Sequence, residues 1–268
     1  MTSTTDYEAR RARLFEQLEE LGSVAVAFSG GVDSSVLLHA AQRVLGSRAV
    51  AVVADSPSLP RSELTVAREV AAGIGTELIE VRTAEGEDEN YQANRGDRCY
   101  FCKAELFRVM TAWAAGADVT ALAFGEITDD LLDDRPGARA AREYKVVGPL
   151  SDAGFSKEDV RRYAHDAGLL VADKPSSACL ASRIPVGTRV TPERLARVEA
   201  AEEALHELGL RQVRVRDHAP QARIEVGSDE AALAEAQRPE IEQAVLQAGF
   251  ESFELGVYRS PIERVAGA

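Results

Sequence analysis

A glycine and serine turn between two apolar segments most constrains what this chain can fold into. It reads Ser-Gly-Gly-Val-Asp-Ser-Ser over residues 29–35, directly after the apolar run 24–28 and before a helical pattern. Adjacent glycines let the backbone approach an anion closely, and a helix start supplies N–H groups and a positive dipole end. The pattern therefore predicts a phosphate-binding loop in an α/β sheet. An ordinary capped βα turn is the alternative, but capping does not require two glycines.

The residue order of the turn excludes two common nucleotide loops. It lacks the Gly-Lys-Ser/Thr ending of the Walker loop and the spacing G-x-G-x-x-G. Ser-Gly-Gly-x-Asp-Ser instead resembles the PP-loop of ATP pyrophosphatases, which attach AMP to a substrate oxygen and release pyrophosphate. The resemblance implies a parallel-sheet domain of the adenine nucleotide α-hydrolase-like type. It also implies that ATP and Mg²⁺ are bound by Ser29, Gly30, Gly31, Asp33, Ser34 and Ser35.

Two further predicted strands end in residues suited to the same ligand. The run 49–54 is almost entirely apolar, as a buried parallel strand is, and it ends at Asp55 and Ser56. A fourth strand, 119–124, is followed by Gly125 and Asp129 in a segment similar to one that PP-loop enzymes carry. Ligands of open α/β sheets bind at the carboxyl ends of strands, so these residues are candidate nucleotide contacts. An acidic helix cap at Asp129 or its neighbour is an equal alternative.

The chain length and the element pattern predict two domains. At 268 residues, one large domain or two modest ones are expected. From Thr191 onward an α-β-β-α-β pattern follows that has no glycine-rich turn. We predict an α/β PP-loop domain over 1–185 and a second, smaller α+β domain over 186–268. The polar stretches 84–98 and 133–143 read as loops.

Charge and hydropathy narrow the class of protein. The net charge of −13 argues against a basic surface that would bind the phosphates of a nucleic acid, so we expect no nucleic-acid partner. No apolar run approaches the roughly 20 residues of a membrane span, and the N-terminus lacks a signal-peptide core. A cytoplasmic protein without a membrane partner is the expectation.

Three cysteines form the second chemical feature. Cys99 and Cys102 make a Cys-x-x-Cys pair, and Cys179 is remote in sequence. An odd number in a cytoplasmic protein argues against a disulfide framework. A three-thiolate iron–sulfur site, a zinc site, a redox pair and unrelated thiols all remain open from spacing. A [4Fe–4S] cluster with three cysteines would leave one iron open to an exogenous sulfide.

Several segments together carry a narrower resemblance. Ala-Asp-Ser-Pro at 54–57, Asp-Arg-Cys-Tyr-Phe-Cys-Lys at 97–103 and Pro-Ser-Ser-Ala-Cys-Leu-Ala-Ser-Arg-Ile-Pro at 175–185 resemble the LarE family, as do 213–216 and 223–226. LarE proteins are ATP-dependent sulfur transferases of nickel-pincer nucleotide synthesis, the cofactor of lactate racemase. They convert the carboxylates of pyridinium-3,5-biscarboxylic acid mononucleotide to thiocarboxylates.

The resemblance assigns roles to individual residues. One LarE mode sacrifices a single cysteine at the position of Cys179; the other holds a [4Fe–4S] cluster on three cysteines. Because this chain has all three, the resemblance implies the cluster mode, a sulfide source and a hexamer. Asp33 and Arg183 join the cysteines as catalytic candidates. Arginine suits a phosphorylated, carboxylated substrate, and the substrate-binding candidates are Arg183, Arg214, Arg216, Glu203 and Arg223.

Three rival functions stay open. A PP-loop tRNA thiolase with a three-cysteine cluster shares the adenylation and sulfur steps, although the net charge of −13 opposes RNA binding. An amidotransferase-type ligase would need no cysteine trio, and a nucleotide-binding regulator would release no pyrophosphate. Charged strand positions such as Arg214 and Arg216 also suit a merely solvated face.

Overall fold

A computed structural model describes residues 4–132, 136–175 and 178–259 of the chain. The chain divides into two compact units, which are described separately. The first holds Met1–Tyr91 and Asp97–Ser177, and the second holds Gln92–Gly96 and Ala178–Ala268. Within the described residues, no helix is both long and apolar enough to cross a membrane.

The first unit alternates strands and helices along the chain. Its elements are α1 (Thr4–Leu21), β1 (Val24–Ala27), α2 (Val32–Leu45), β2 (Ala49–Asp55), α3 (Arg61–Ile74), β3 (Leu78–Arg82), α4 (Glu89–Ala93, which continues into the second unit), α5 (Arg98–Ala114), β4 (Ala121–Phe124), α6 (Pro136–Glu143), α7 (Pro149–Ala153) and α8 (Lys157–Asp166).

A parallel four-stranded sheet in the order β3-β2-β1-β4 organises the first unit. The chain builds outward from β1 through β2 to β3, then returns to add β4 on the other side of β1. The carboxyl ends of β1 and β4 therefore flank the point where the strand order reverses. Ligands of open α/β sheets bind at such a point. The predicted parallel α/β fold is confirmed.

Both faces of this sheet are buried, because alternate strand residues point to opposite sides. Val24 and Val26 of β1 pack into a core with Leu14, Leu37 and other residues of α1, α2, α3 and α8. Ala25 points the other way, into a second core that includes Phe107 of α5. This sandwiched position explains why the strand sequences are continuous apolar runs.

The second unit is a three-stranded sheet with helices. Its elements are α9 (Pro192–Glu207), β5 (Val213–His218), β6 (Gln221–Val226), α10 (Ala231–Ala236), α11 (Arg238–Gln247) and β7 (Ser252–Val257). β5 and β6 pair antiparallel, whereas β6 and β7 pair parallel. Thr191 caps α9 by accepting a hydrogen bond from the Arg194 N–H, as its sequence position before Pro192 predicts.

The border between the units differs from the predicted one. We predicted a division after residue 185, whereas the compact units divide earlier, after Ser177. Residues 92–96 also join the second unit. Asn94 is buried, and its side-chain amide donates to the carbonyls of Pro185 and Thr188 at 2.8 and 3.0 Å. These hydrogen bonds join residues more than 90 positions apart, so the local sequence does not predict them.

Two stretches predicted to be loops contain helices, and those predictions were wrong. Residues 89–93 form α4, which buries Tyr91. Residues 136–143 form α6, which buries Ala140 and Ala141 against the core on α5. Alanine and arginine favour helix, and a proline is tolerated in a first turn, so Pro136-Gly137 starts this helix rather than breaking it. Residues 133–135 of the predicted loop lie outside the described part of the chain.

Candidate functional site

The phosphate-loop candidate follows β1 and runs into the first turn of α2. Gly30 has φ +68°, and a Cβ there would lie 3.0 Å from the Ala67 Cα of α3. Both the backbone conformation and the close approach of α3 therefore require glycine. The first turn of α2 presents N–H groups that an α-helix leaves without an internal acceptor. The predicted strand, turn and helix order is present.

The serine hydroxyls of this turn form hydrogen bonds within the turn itself. The Gly31 carbonyl accepts from the Ser34 and Ser35 hydroxyls, at 3.1 and 2.8 Å, and from the Ser35 N–H at 3.0 Å. The Ser29 hydroxyl accepts from the Gly31 N–H at 3.3 Å and lies 3.2 Å from the Ser34 hydroxyl. These hydrogen bonds fix the backbone of the turn without a contact to any residue outside 29–35.

Gly125, which directly follows β4, packs closely against the backbone of the same turn. A Cβ at this position would lie 2.8 Å from the Ser34 nitrogen and 2.9 Å from the Asp33 carbonyl carbon. Both atoms belong to backbone, which cannot rotate away as a flexible side chain can. The segment after β4 therefore touches the loop after β1, where the strand order reverses.

We expect Gly125→Ala to lower the free energy of unfolding by about 1–3 kcal/mol, the usual effect of overpacking a tight contact, and to weaken nucleotide binding. Gly73→Ala is the matched control, since a Cβ at Gly73 of α3 meets nothing within 4 Å. That control should be stabilised by roughly 0.4–1 kcal/mol. Urea denaturation and nucleotide titration of both variants measure this; equal stability of the two variants would contradict the packing argument.

Two lysines that the sequence reasoning missed bind the loop. The Lys157 ammonium lies 2.8 and 2.9 Å from the two Asp33 carboxylate oxygens. The Lys174 ammonium donates to the Gly30 carbonyl at 3.2 Å and to Glu63 at 2.6 Å. Lys157 directly follows Ser156, whose capping box with Asp159 accounted for the local pattern. Its contact to Asp33 spans 124 residues, so only the fold reveals it.

The other candidate nucleotide contacts of the first unit also have partners in the structure. Asp55 forms an ion pair with Arg61, and the Ser56 hydroxyl donates to the buried Glu85. One Asp129 carboxylate oxygen accepts from the Lys157 N–H at 2.9 Å, at the start of α8. Asp129 therefore supplements the Ser156 cap of α8 by accepting from the first N–H of the helix, and its predicted role in nucleotide binding stays a prediction.

A cation and a carboxylate face each other beyond β4. Burial lowers the pKa of Lys103, and the nearby Glu126 opposes that shift. Burial likewise raises the pKa of Glu126, with Lys103 opposing it. The Lys103 ammonium lies 4.8 Å from the centre of the Phe124 ring. Lys103 is one residue from Cys102, so this positive charge lies beside the Cys-x-x-Cys pair.

Cys99 and Cys102 lie in the first turns of α5, one helical turn apart, so their side chains share a face. Cys99 is exposed and Cys102 half-buried. Cys179 belongs to the second unit, where its carbonyl accepts from the Ser182 N–H at 2.9 Å. No disulfide joins the three, and within residues 4–132, 136–175 and 178–259 no three His, Cys, Asp or Glu side chains form a metal-ready cluster.

Arg183 of the second unit is almost completely buried, with 2% of its side chain exposed. Its guanidinium forms a two-pronged pair with Glu202, at 2.8 and 2.9 Å, and donates to the Cys179 carbonyl at 3.1 Å. Glu202 also accepts from the Val215 N–H at 2.9 Å. Arg183 thus holds the turn that carries Cys179. Its predicted contact with substrate stays a prediction.

We expect Arg183→Met to lower the free energy of unfolding by about 3–5 kcal/mol, because Glu202 would keep a buried charge without its partner. Arg108→Met is the control, since Arg108 pairs with Glu105 in an exposed position on α5. Such surface pairs contribute about 0–1 kcal/mol. Chemical denaturation followed by circular dichroism measures both; an Arg183 variant as stable as the control would refute the structural role.

Three of the predicted substrate arginines, Arg214, Arg216 and Arg223, share one face of the second sheet. Arg214 and Arg216 alternate with the buried Val213 and Val215 on β5, and Arg216 lies opposite Arg223 of β6. Arg216 pairs with Glu225 at 2.9 Å. Burial lowers the pKa of Arg214, with Arg183 adding to the effect.

A cavity of about 550 Å³ opens on this face and is lined by Arg223, Glu225, Val257 and Arg259. Glu203, the carboxylate predicted to bind substrate, is exposed on α9. Its neighbour Glu202 is the one in the buried network. The helical spacing of Leu195, Val198, Glu202 and Leu205 is a signal that could have identified it.

Comparison with known proteins identifies the family. A protein of Lactiplantibacillus plantarum named pyridinium-3,5-bisthiocarboxylic acid mononucleotide synthase is 36% identical over 218 residues, 81% of this chain and 79% of its own. The chain belongs to the LarE family. This LarE-family chain is also 42% identical to the Synechocystis protein slr1717, over 82% of both chains. It is 26% identical to the Methanocaldococcus jannaschii protein MJ0830, over 88% of this chain and 91% of the other.

A family model for asparagine synthase matches residues 14–95 of the LarE-family chain. The match spans β1, the phosphate-loop candidate and β2, the part of the sheet where a PP-loop was predicted. Together with the LarE relative, it confirms the predicted resemblance at the level of family and fold. The predicted three-cysteine cluster type stays a prediction.

Proposed function

We propose that this LarE-family protein uses ATP to convert the carboxylates of pyridinium-3,5-biscarboxylic acid mononucleotide into thiocarboxylates. The observation that carries the proposal is the named synthase, which aligns with four-fifths of the chain. The phosphate-loop candidate at the reversal point of the sheet supports it, because adenylation needs a nucleotide at that place. The bisthiocarboxylate product then serves nickel-pincer nucleotide synthesis.

The first step of the proposal is nucleotide binding at the loop of residues 29–35. The backbone turn around Gly30 and Gly31 accommodates phosphate oxygens, with Lys174 beside it. Asp33 would hold Mg²⁺, since an accessible carboxylate is the ligand this ion prefers. The Lys157 ammonium already lies against both Asp33 oxygens, so the carboxylate is arranged to bind a cation. In the nucleotide complex, Mg²⁺ would take the place of the Lys157 ammonium at Asp33.

The second step joins AMP to the substrate. A substrate carboxylate oxygen attacks the α-phosphorus, the bond from that phosphorus to the bridging oxygen breaks, and pyrophosphate leaves. The chain contributes positioning and charge neutralisation, which dominate phosphoryl-group chemistry. The resulting acyl-adenylate has an electrophilic carboxyl carbon and AMP as its leaving group.

The third step replaces oxygen by sulfur. Cys99, Cys102 and Cys179 would hold a [4Fe–4S] cluster, and the chemistry that such a cluster would supply is sulfide. A C–S bond would form at the carboxyl carbon of the acyl-adenylate as its C–O bond to AMP breaks, and AMP would leave. Thiolates suit iron, and none of the three is consumed by a disulfide. Lys103 directly follows Cys102 in the sequence, so its amine lies near the pair. Arg183 would keep the Cys179 turn in one position through its bond to the Cys179 carbonyl.

Substrate recognition in the proposal uses the arginine face of the second unit. Arg214, Arg216 and Arg223 supply fork-shaped donors that match phosphate and carboxylate oxygens. The cavity beside Arg223 has the volume of an ordinary small-ligand site. A ring-like hexamer, as in other LarE proteins, is part of the proposal.

The proposal is tested with anaerobically reconstituted protein, ATP, Mg²⁺, sulfide and the pyridinium mononucleotide. We expect pyrophosphate release that depends on the mononucleotide, and mass spectrometry should show oxygen replaced by sulfur in its carboxyl groups. A filter-binding arm with tRNA at moderate salt should show no retention. Pyrophosphate release with tRNA but not with the mononucleotide would replace the proposal by the tRNA thiolase.

A further inference from the structure

A lysine beside the phosphate-loop candidate is a rare residue in this chain. Of the 31 lysine and arginine residues only four are lysines, and all the others are arginines. One of the four, Lys174, places its ammonium 3.2 Å from the Gly30 carbonyl oxygen and 2.6 Å from a Glu63 carboxylate oxygen. An ammonium is compact and carries three donors, so it can bind two acceptors on different elements at once. Lys174 therefore joins the loop to α3 through a single atom.

The contact lies where one face of α3 meets the loop. A Cβ at Gly30 would be 3.0 Å from the Ala67 Cα, so α3 packs directly on the loop backbone. Glu63 is one helical turn before Ala67 and shares its face. The side chains of Lys174 and Glu63 are only 17% and 20% exposed. Their ion pair is therefore partly shielded from water and salt, unlike an ordinary surface pair.

The backbone that carries Lys174 is also held in place. The Arg161 guanidinium of α8 donates to the Lys174 carbonyl at 2.6 Å and to the Ala172 carbonyl. The Lys174 N–H donates to the Val171 carbonyl at 3.0 Å. The ammonium therefore reaches Gly30 from a backbone whose position is set by hydrogen bonds to α8 and within the turn.

The peptide group between Gly30 and Gly31 is bound on both sides. Its carbonyl oxygen accepts from Lys174, and its N–H donates to the Ser29 hydroxyl at 3.3 Å. The next carbonyl, that of Gly31, accepts from two serine hydroxyls of the same turn. A carbonyl oxygen that faced a phosphate would repel it, because both are negative. With both carbonyls bound to protein donors, the N–H groups at the start of α2 are left for an anion.

We propose that Lys174 is a positioning residue for nucleotide binding. Together with Glu63 it holds the Gly30 carbonyl away from the phosphates, so that the N–H groups of the loop face them. Lys174 acts through the Gly30 peptide group, and Glu63 acts by keeping the ammonium there. The inference rests on the proposed function for the role of the loop in binding ATP.

The test is the binding of tripolyphosphate with Mg²⁺ to the full chain, measured by calorimetry. This probe has no base or sugar, and its binding needs neither the mononucleotide nor a sulfur source. Lys174→Met should weaken its binding roughly tenfold, as expected for loss of a hydrogen bond from a charged group. Lys145→Met is the matched control, because it removes the same charge from an exposed lysine after α6 and should bind like wild type. Thermal unfolding checks that each variant is folded.

A second variant separates positioning from simple charge attraction. Glu63→Gln removes a negative charge near the loop, which by Coulomb attraction alone would tighten tripolyphosphate binding. If Glu63 keeps the ammonium on Gly30, this variant should instead bind more weakly than wild type. The double variant should lose no more affinity than Lys174→Met, because the two residues act as one unit. In the complete reaction, Lys174→Met should raise the KM for ATP and leave the KM for the mononucleotide unchanged.

Each outcome decides a different claim. The inference is overturned if Lys174→Met binds tripolyphosphate like the control, or if Glu63→Gln binds it as tightly as wild type or more tightly. The latter result would mean that Lys174 moves onto the phosphate once Glu63 releases it. Failure of the wild-type protein to bind tripolyphosphate would overturn both the inference and the role of the loop. Wild-type protein that binds tripolyphosphate but forms no thiocarboxylate would contradict the proposed function and leave the positioning role standing.

Discussion

Replacing Asp33 by asparagine should lower mononucleotide-dependent pyrophosphate release by roughly 10²- to 10³-fold, the scale at which removal of one preorganised electrostatic contact slows a reaction. The amide keeps the shape of the side chain but no longer neutralises a magnesium ion. Fold stability should change little, since the Asp33 and Lys157 side chains are 30% and 34% exposed. Initial rates of pyrophosphate release at saturating ATP, with unfolding curves alongside, measure both effects.

Lys157→Met is the matched control for this prediction. It removes the same ion pair from the other side and leaves the carboxylate in place to bind magnesium. If Asp33 acts through the metal, the lysine variant should keep far more activity than Asp33→Asn. Equal losses in the two variants would show that the ion pair itself matters, and normal activity of Asp33→Asn would remove the loop from the reaction.

Replacing Cys99 by alanine should end repeated turnover. With one ligand lost, the iron and labile sulfide content of reconstituted protein should fall to background, and product formation should stop at no more than a single sulfur atom per chain. Cys179→Ala should abolish thiocarboxylate formation altogether, because the proposed sulfur step uses this position whether the cysteine holds a cluster or donates its own sulfur. Iron and sulfide analysis, the ultraviolet–visible spectrum and product counted per chain measure these outcomes.

The internal control is the first chemical step. Both cysteine variants should still release pyrophosphate in a first turnover, since adenylation uses the loop of residues 29–35 and not the thiols. Sustained multiple turnover by Cys99→Ala would contradict a three-thiolate cluster. Failure of wild-type protein to bind iron and sulfide would contradict it more directly.

The sequence was most informative where a local structure depends on a few neighbouring residues. The turn at 29–35 predicted both the strand-to-helix transition and the fold class, because two glycines and a helix start make a recognisable local structure. The caps at Thr191 and Ser156 are equally local, since each side chain accepts a hydrogen bond from an N–H in the first turn of its own helix. In contrast, Lys157 and Asp33 are 124 residues apart in the sequence, and the sequence pattern around either residue does not predict their contact.

The errors have a different physical origin. Residues 136–143 were predicted to form a loop because they begin with a Pro-Gly pair. The alanines after that pair favour a helix instead, and they pack against α5. On α9, helical periodicity places Glu202 on the buried face, but its pairing with Arg183 spans 19 residues and is indicated by no local pattern. The predicted substrate contact of Glu203 stays a prediction. Local patterns therefore predict elements better than they predict long-range charge pairing.

The interleaved path of the chain has a consequence for folding during synthesis. Residues 92–96 leave the ribosome well before the residues that bind them, and Asn94 needs the carbonyls of Pro185 and Thr188. The entropic cost of closing so long a loop grows only slowly with its length. However, no contact close in the sequence offsets this cost before the distant acceptors have been synthesised. The segment next to the Cys-x-x-Cys helix must therefore wait for the C-terminal third of the chain. Truncation before that point would leave it without its hydrogen-bond acceptors, even with the parallel sheet complete.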